Sequence, residues 1–190
     1  MKIFQNKQYL WPGILLCGCV AFQAGAIDVS FQMTYTQPTC NLTFDNNKSS
    51  LEYPLGTISS GTLKDNYVPF TINVDCQGNR AVKTAIKAKV IPGGNGYNSV
   101  LQPGDESVRM QVAGAQGVDS NSPELWLLLA ETGLPVKLAG QKSDAFCTRE
   151  DTTAATPNTC KLKPVVKVPP QSPGGDFGTT IQFNVEYFLL

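Results

Sequence analysis

The 190-residue chain contains no histidine. The usual general base, the imidazole of a catalytic triad and the commonest metal ligand are therefore all missing. Charge is sparse: 15 basic and 15 acidic residues give a formal net charge of zero. A nucleic-acid binder is expected to carry a strongly basic face, so this balance argues against that class. There is no CxxC pair, and without histidine zinc has no ordinary ligand set. No phosphate loop or nucleophile elbow occurs. "PGGNG" at residues 92–96 is rich in glycine but reads as a turn, with no helix behind it to hold an anion. Two carboxylate pairs could in principle do acid–base work, Asp105 with Glu106 and Glu150 with Asp151. The first sits in a Pro-Gly turn and the second in a loop bracketed by cysteines, so both read as solvated. Trp126 could line a sugar site, but a core tryptophan is the more ordinary reading. The sequons at Asn41 and Asn47 matter only in a eukaryotic secretory host. No enzymatic activity, metal or cofactor is expected.

Long apolar runs are also missing. The longest, "YLWPGILLCGCVAF", is too short to span a bilayer comfortably. It follows Lys2 and Lys7 and precedes the small residues Ala24 and Ala26, the pattern of a signal peptide with cleavage after Ala26. A lipoprotein-like reading of "LCGC", with Cys19 lipidated, is the alternative, although Cys17 is unusual in such a box. Removing residues 1–26 leaves 164 of the 190 residues, with 13 basic against 15 acidic. It also removes Cys17 and Cys19, so four of the six cysteines remain. An even number in an exported chain implies two disulfides. Three pairings are possible; the expected one joins Cys40, just past the first strand, to Cys76, which ends a strand. Cys147 and Cys160 then close the loop between them.

What remains is alternation. Hydrophobic residues make up 42% of the chain, enough for a core. "DVSFQMTYT" alternates Val29, Phe31, Met33 and Tyr35, and "LEYPLGTI" alternates Leu51, Tyr53 and Leu55. "YVPFTINVDC" alternates Val68, Phe70, Ile72, Val74 and Cys76. "VKTAIKAKVIP" puts Val82, Ile86, Ala88 and Val90 inward and Lys83, Lys87 and Lys89 outward. "SVRMQV", a short buried "ELWLLLA", a short "VKLAG" and "LKPVVKV" follow. The last strand carries Ile181, Phe183, Val185 and Tyr187 on one side. Clusters such as "QPGDE" and "PPQSPGGD" separate the runs. Many short strands without sustained helical period predict an all-β sandwich.

The order of these motifs resembles the pilins of the chaperone–usher pathway, in particular minor tip subunits of P and type 1 pili. "IDVSFQMTYTQPTC" is similar to the entry of such subunits, and "PLGTISSG" followed by "VPFTINVDC" to their next two strands. "GGDFGTTIQFNVEY", with Gly175 twelve residues before Tyr187, resembles their C-terminus. The Cys147–Cys160 loop is an addition to that pattern. The resemblance implies an incomplete immunoglobulin-like β-sandwich that lacks its last strand and is completed by a donor strand from another chain. It implies a pilin domain over residues 27–190 whose extension, about 27–36, is donated through Val29, Phe31, Met33 and Tyr35. Gly175, Ile181, Phe183, Val185 and Tyr187 would form the receiving strand, paired first by a periplasmic chaperone. An outer-membrane usher and neighbouring pilin subunits are the further partners, and the destination is a cell-surface fimbria. Filling about four pockets of the open groove would contribute roughly 6–12 kcal/mol gross. The competing readings are a receptor-binding adhesin, a terminator or anchor subunit, and a secreted monomer with a complete sandwich.

Overall fold

The computed structural model describes residues 39–78 and 80–188. The expected signal peptide, Cys17, Cys19, the extension with Val29, Phe31, Met33 and Tyr35, and the final Leu189 and Leu190 all lie outside the described residues. Ten strands alternate with turns: β1 Cys40–Phe44, β2 Leu63–Lys64, β3 Phe70–Cys76, β4 Val82–Ile91 and β5 Ser99–Leu101. They continue as β6 Ser107–Met110, β7 Glu124–Leu129, β8 Phe146–Thr152, β9 Asn158–Lys167 and β10 Thr180–Phe188. Among the described residues there is no α-helix, only three short 3-10 turns. The strands form two antiparallel sheets. The larger runs β1-β3-β9-β7-β6-β5, with β2 also paired to β9, and the smaller runs β10-β4-β8. "VKLAG" adds no strand, only isolated bridges at Pro135 and Ala139.

The period of two decides which side of each strand meets the core. On β3, Phe70, Ile72, Val74 and Cys76 are buried while Thr71, Asn73 and Asp75 stand half-exposed between them. On β4, Val82, Ile86, Ala88 and Val90 are buried as their alternation predicts. Leu125 and Leu127 of β7 and Leu162 and Val166 of β9 complete one core shared by both sheets. Val68 departs from its expected inward place and is 76% exposed. β3 begins at Phe70, so Val68 lies in the connection before the ladder starts, where period-two geometry no longer applies. Trp126 also departs: Leu125 and Leu127 take the core side of β7, which leaves Trp126 half-buried on the outer side.

Pro164 occupies the middle of β9, a central strand, where a missing N–H is normally costly. The bond from Ala130 N–H to Lys161 O sets the alternation of the β7–β9 ladder. Two residues at a time along it, Pro164 falls on a position that bonds away from β7. On that side β2 pairs only as far as Val166 and β3 only from Leu162, so the absent donor faces a break between strands.

Both disulfides form as expected, Cys40 to Cys76 and Cys147 to Cys160. The first joins β1 to β3 at directly opposite positions. The second does more than close a loop. Its residues belong to a hairpin whose arms diverge, Cys147 to β8 in the small sheet and Cys160 to β9 in the large one, so it staples the sheets together. Beside it lies a buried polar cluster. The Asn158 amide donates to Thr84 Oγ1 at 3.1 Å and to the Cys147 carbonyl at 2.7 Å. Thr84 and Thr152 share a hydrogen bond of 2.7 Å, and all three side chains are almost fully buried. Asn158→Ala leaves the Cys147 carbonyl and a threonine hydroxyl short of a partner away from water. The expected cost is about 1–3 kcal/mol in urea unfolding, whereas Ala155→Ser on the exposed tip of the same hairpin should change stability by less than about 0.5 kcal/mol.

Candidate functional site: an open cleft beside the last strand

The two edges of the small sheet are built differently. β8 meets β4 through two register shifts and presents Thr148, Glu150 and Asp151 to solvent. Bulges and charges are the ordinary means of keeping an edge from pairing with strangers. β10 has no bulge, and its one charged residue, Glu186, stands on the side away from the core. The strand pairs with β4 without interruption from Thr180 opposite Ile91 to Phe188 opposite Lys83, and it contains no glycine or proline. Among the described residues its other edge has no strand partner.

Along that edge runs a cleft of about 690 Å³. β10 supplies one wall with Thr180, Ile181 and Phe183, and the segment Ser49–Tyr53 with Leu55 supplies the other. Leu42, Phe44 and Phe70 form part of the floor. Ile181, Phe183, Val185 and Tyr187 pack against the core yet are all only half-buried, whereas their counterparts on β3 are buried. Phe44, Phe70 and Phe183 meet in tilted and edge-to-face pairs with centroids 5.8–6.4 Å apart. Beyond this cluster β10 meets β1, where the Tyr187 hydroxyl donates to the Cys40 carbonyl at 3.5 Å.

The second wall differs from expectation. Leu51, Tyr53 and Leu55 do alternate toward the core, but the segment is extended chain without a ladder. Side chains hold it instead. The Leu55 carbonyl accepts from Lys64 Nζ at 2.9 Å and from the Tyr67 hydroxyl at 2.8 Å, and the Tyr53 hydroxyl donates to the Val68 carbonyl at 2.7 Å. Burial pushes both phenols above their ordinary range, so each remains a proton donor.

Gly175 does not stand on β10. It precedes it in a loop, with φ +149°, and a Cβ there would come within 2.8 Å of Val112 Cγ1 and 3.1 Å of the Ala113 carbonyl oxygen. Its place is a close approach of two loops, fastened by the Ala113 N–H to the Asp176 carbonyl. Asp105 stands in the turn before β6, and Glu150 and Asp151 are exposed on β8, so neither carboxylate pair enters the cleft.

The outer side of β10 holds a feature that the alternation did not point to. Glu186 bonds Lys87 of β4 at 2.9 Å and Lys142 at 3.0 Å. Lys83 and Lys142 both lie over the Phe188 ring. These bonds, from Lys87 first and then Lys142, hold the Glu186 carboxyl below the ordinary carboxylate range. A carboxyl lowered on folding stabilises the fold above its unfolded pKa, and that contribution is lost as pH falls through the lower folded value. The melting temperature of Glu186→Gln should therefore trail the parent at pH 6–7 and approach it below about pH 4. A gap that stays constant down to pH 3 would show that the carboxylate is not what anchors the strand.

No protein-family model and no curated protein matches the chain. Solved structures do. The P pilus rod subunit PapA is similar at 14% identity with a TM-score of 0.51, over 77% of this chain and 99% of its own. A chaperone–usher pilus structure concerned with rod uncoiling is similar at 15% identity with a TM-score of 0.43, over 87% and 97%. The CupB6 tip adhesin from Pseudomonas aeruginosa matches at 15% identity and a TM-score of 0.43, over 80% of this chain but 45% of the adhesin. With two antiparallel sheets around one core and the likeness to PapA, the chain has an all-β, immunoglobulin-like fold similar to that of the P pilus rod subunit.

Proposed function

We infer that the chain is a structural subunit of a chaperone–usher fimbria, of the minor tip or adaptor kind, and that its cleft receives a strand from another molecule. One observation carries this reading: among the described residues β10 keeps an edge without a strand partner beside a cleft that Ile181 and Phe183 line, and Val185 and Tyr187 further along it are half-buried as well. A strand laid between β10 and the Leu51–Leu55 segment would bond both backbones and bury those side chains, which is recognition by β-strand addition. A periplasmic chaperone supplies that strand first, and the extension of a neighbouring subunit replaces it at the outer-membrane usher. This chain's own residues 27–36, through Val29, Phe31, Met33 and Tyr35, serve the next subunit in the same way. The role is mechanical and needs no catalytic residue, metal or cofactor. The route runs from a signal peptide cleaved after Ala26, through the periplasm, to the cell surface.

Deleting Ile27–Met33 separates giving from receiving. The shortened chain should still be recovered from the periplasm in a one-to-one complex with its chaperone but should be absent from sheared fibres. Normal incorporation of the shortened chain would refute the donor role. Recovery of a stable free monomer in a cell without the chaperone would refute the open cleft.

A further inference from the structure

The outer face of the large sheet, on the opposite side of β7 from the cleft, carries a second surface. Alternation puts Lys161, Lys163, Val165 and Lys167 of β9 on that face, beside Trp126 and Leu128 of β7. Trp126 stands directly opposite Val165 on one side and Ser107 on the other, and Leu128 stands opposite Lys163. Val165 and Ser107 are buried although they point outward. Among the described residues nothing accepts a hydrogen bond from the indole N–H, and that nitrogen is not one of the buried polar atoms. The indole N–H of the half-buried Trp126 is thus open to solvent.

The lysines are equally uncommitted. None of the three has a carboxylate within salt-bridge distance among the described residues, although six other ion pairs form. Two carboxylates share the strand positions of this face. Glu124, directly opposite Lys167 in the register, is engaged by Ser107 and Arg109, and Asp75 stands at the far end, opposite Asn41. The cations form an interrupted row: Lys161 and Lys163 are about 7 Å apart along β9, and Lys167 lies about 13 Å further on, past Val165. A row of point charges beside an amphipathic ring suits a linear polyanion built of rings rather than a compact anion.

We propose that this face binds an acidic polysaccharide of the sulfated type. Lys161, Lys163 and Lys167 would pair with its anionic groups, and Trp126 would stack against a sugar face. The proposal is independent of the cleft, so either can fail alone.

The test uses the chain as recovered from the periplasm with any copurifying partner. Binding to immobilised dextran sulfate, neutral dextran and a single-stranded oligodeoxynucleotide is compared at several salt concentrations. Dextran sulfate should be retained and dextran not. Replacing the three lysines with glutamine should weaken retention about tenfold and flatten its salt dependence. Trp126→Ala should weaken it about three- to tenfold. Trp126→Leu keeps an apolar cover over Val165 and should show the same loss if the ring itself matters. Lys83→Gln with Lys89→Gln, on the small sheet, should leave retention unchanged. Wild-type binding by the triple lysine variant or by Trp126→Leu overturns the proposal. Tighter binding of the oligonucleotide than of dextran sulfate overturns it in favour of a nucleic-acid surface.

Discussion

A peptide of residues 27–36, added to chain expressed from Gln37 onward, is expected to raise the melting temperature by about 10–20 °C. The magnitude follows from the cleft. Four apolar side chains entering beside Ile181, Phe183, Val185 and Tyr187 contribute roughly 6–12 kcal/mol gross. Ordering a free peptide cancels much of this. If half survives, each remaining kcal/mol is worth about 2–4 °C in a domain of this size. The sequence of the peptide must matter: aspartate in place of Phe31 and Met33 would set charges against Phe44, Phe70 and Phe183, and the shift should vanish. The same melting temperature with and without the peptide would mean that residues 27–36 do not fill the cleft beside β10.

The second large effect concerns the disulfides. Cys40 and Cys76 are 36 residues apart and Cys147 and Cys160 are 13 apart. On the loop-entropy model their removal costs about 4 and 3 kcal/mol respectively. Domain stabilities run to only about 5–15 kcal/mol, and a sandwich with an open edge should lie low in that range. Cys40→Ala with Cys76→Ala should therefore leave little folded protein when the cleft is empty. This pair also tethers β1, whose Leu42 and Phe44 floor the cleft, so added peptide should bind the variant more weakly. Cys147→Ala with Cys160→Ala should lower the urea midpoint by a comparable amount but leave peptide affinity nearly intact, because that staple lies away from the cleft lining. Equal loss of peptide affinity in both double variants would mean that the first disulfide has no particular part in shaping the cleft.

These expectations draw on different layers of information. The strands of the core are legible because burial on one side writes a period of two into the chain: the spacing of Phe70, Ile72, Val74 and Cys76 is enough to put all four on one face. The disulfide partners are legible too, since one pair follows strand ends and the other brackets one short stretch. Gly175 stands out by its spacing from Tyr187, but its physical task, a close approach to Val112 and Ala113, depends on a loop more than sixty residues away in sequence.

By itself, then, the sequence determined the all-β class, the alternating faces and the absence of imidazole chemistry, because these are set by residues near one another or by residues that are simply not there. The tertiary structure alone decided which faces are covered. Trp126 lies outside, Leu51–Leu55 runs without a ladder, and the Cys147–Cys160 bond crosses between sheets. Glu186 gathers two lysines, and among the described residues the outer edge of β10 has no strand partner. Alternation says that a strand has two sides; what lies against each side is supplied by segments distant in sequence, and only the folded chain brings them there.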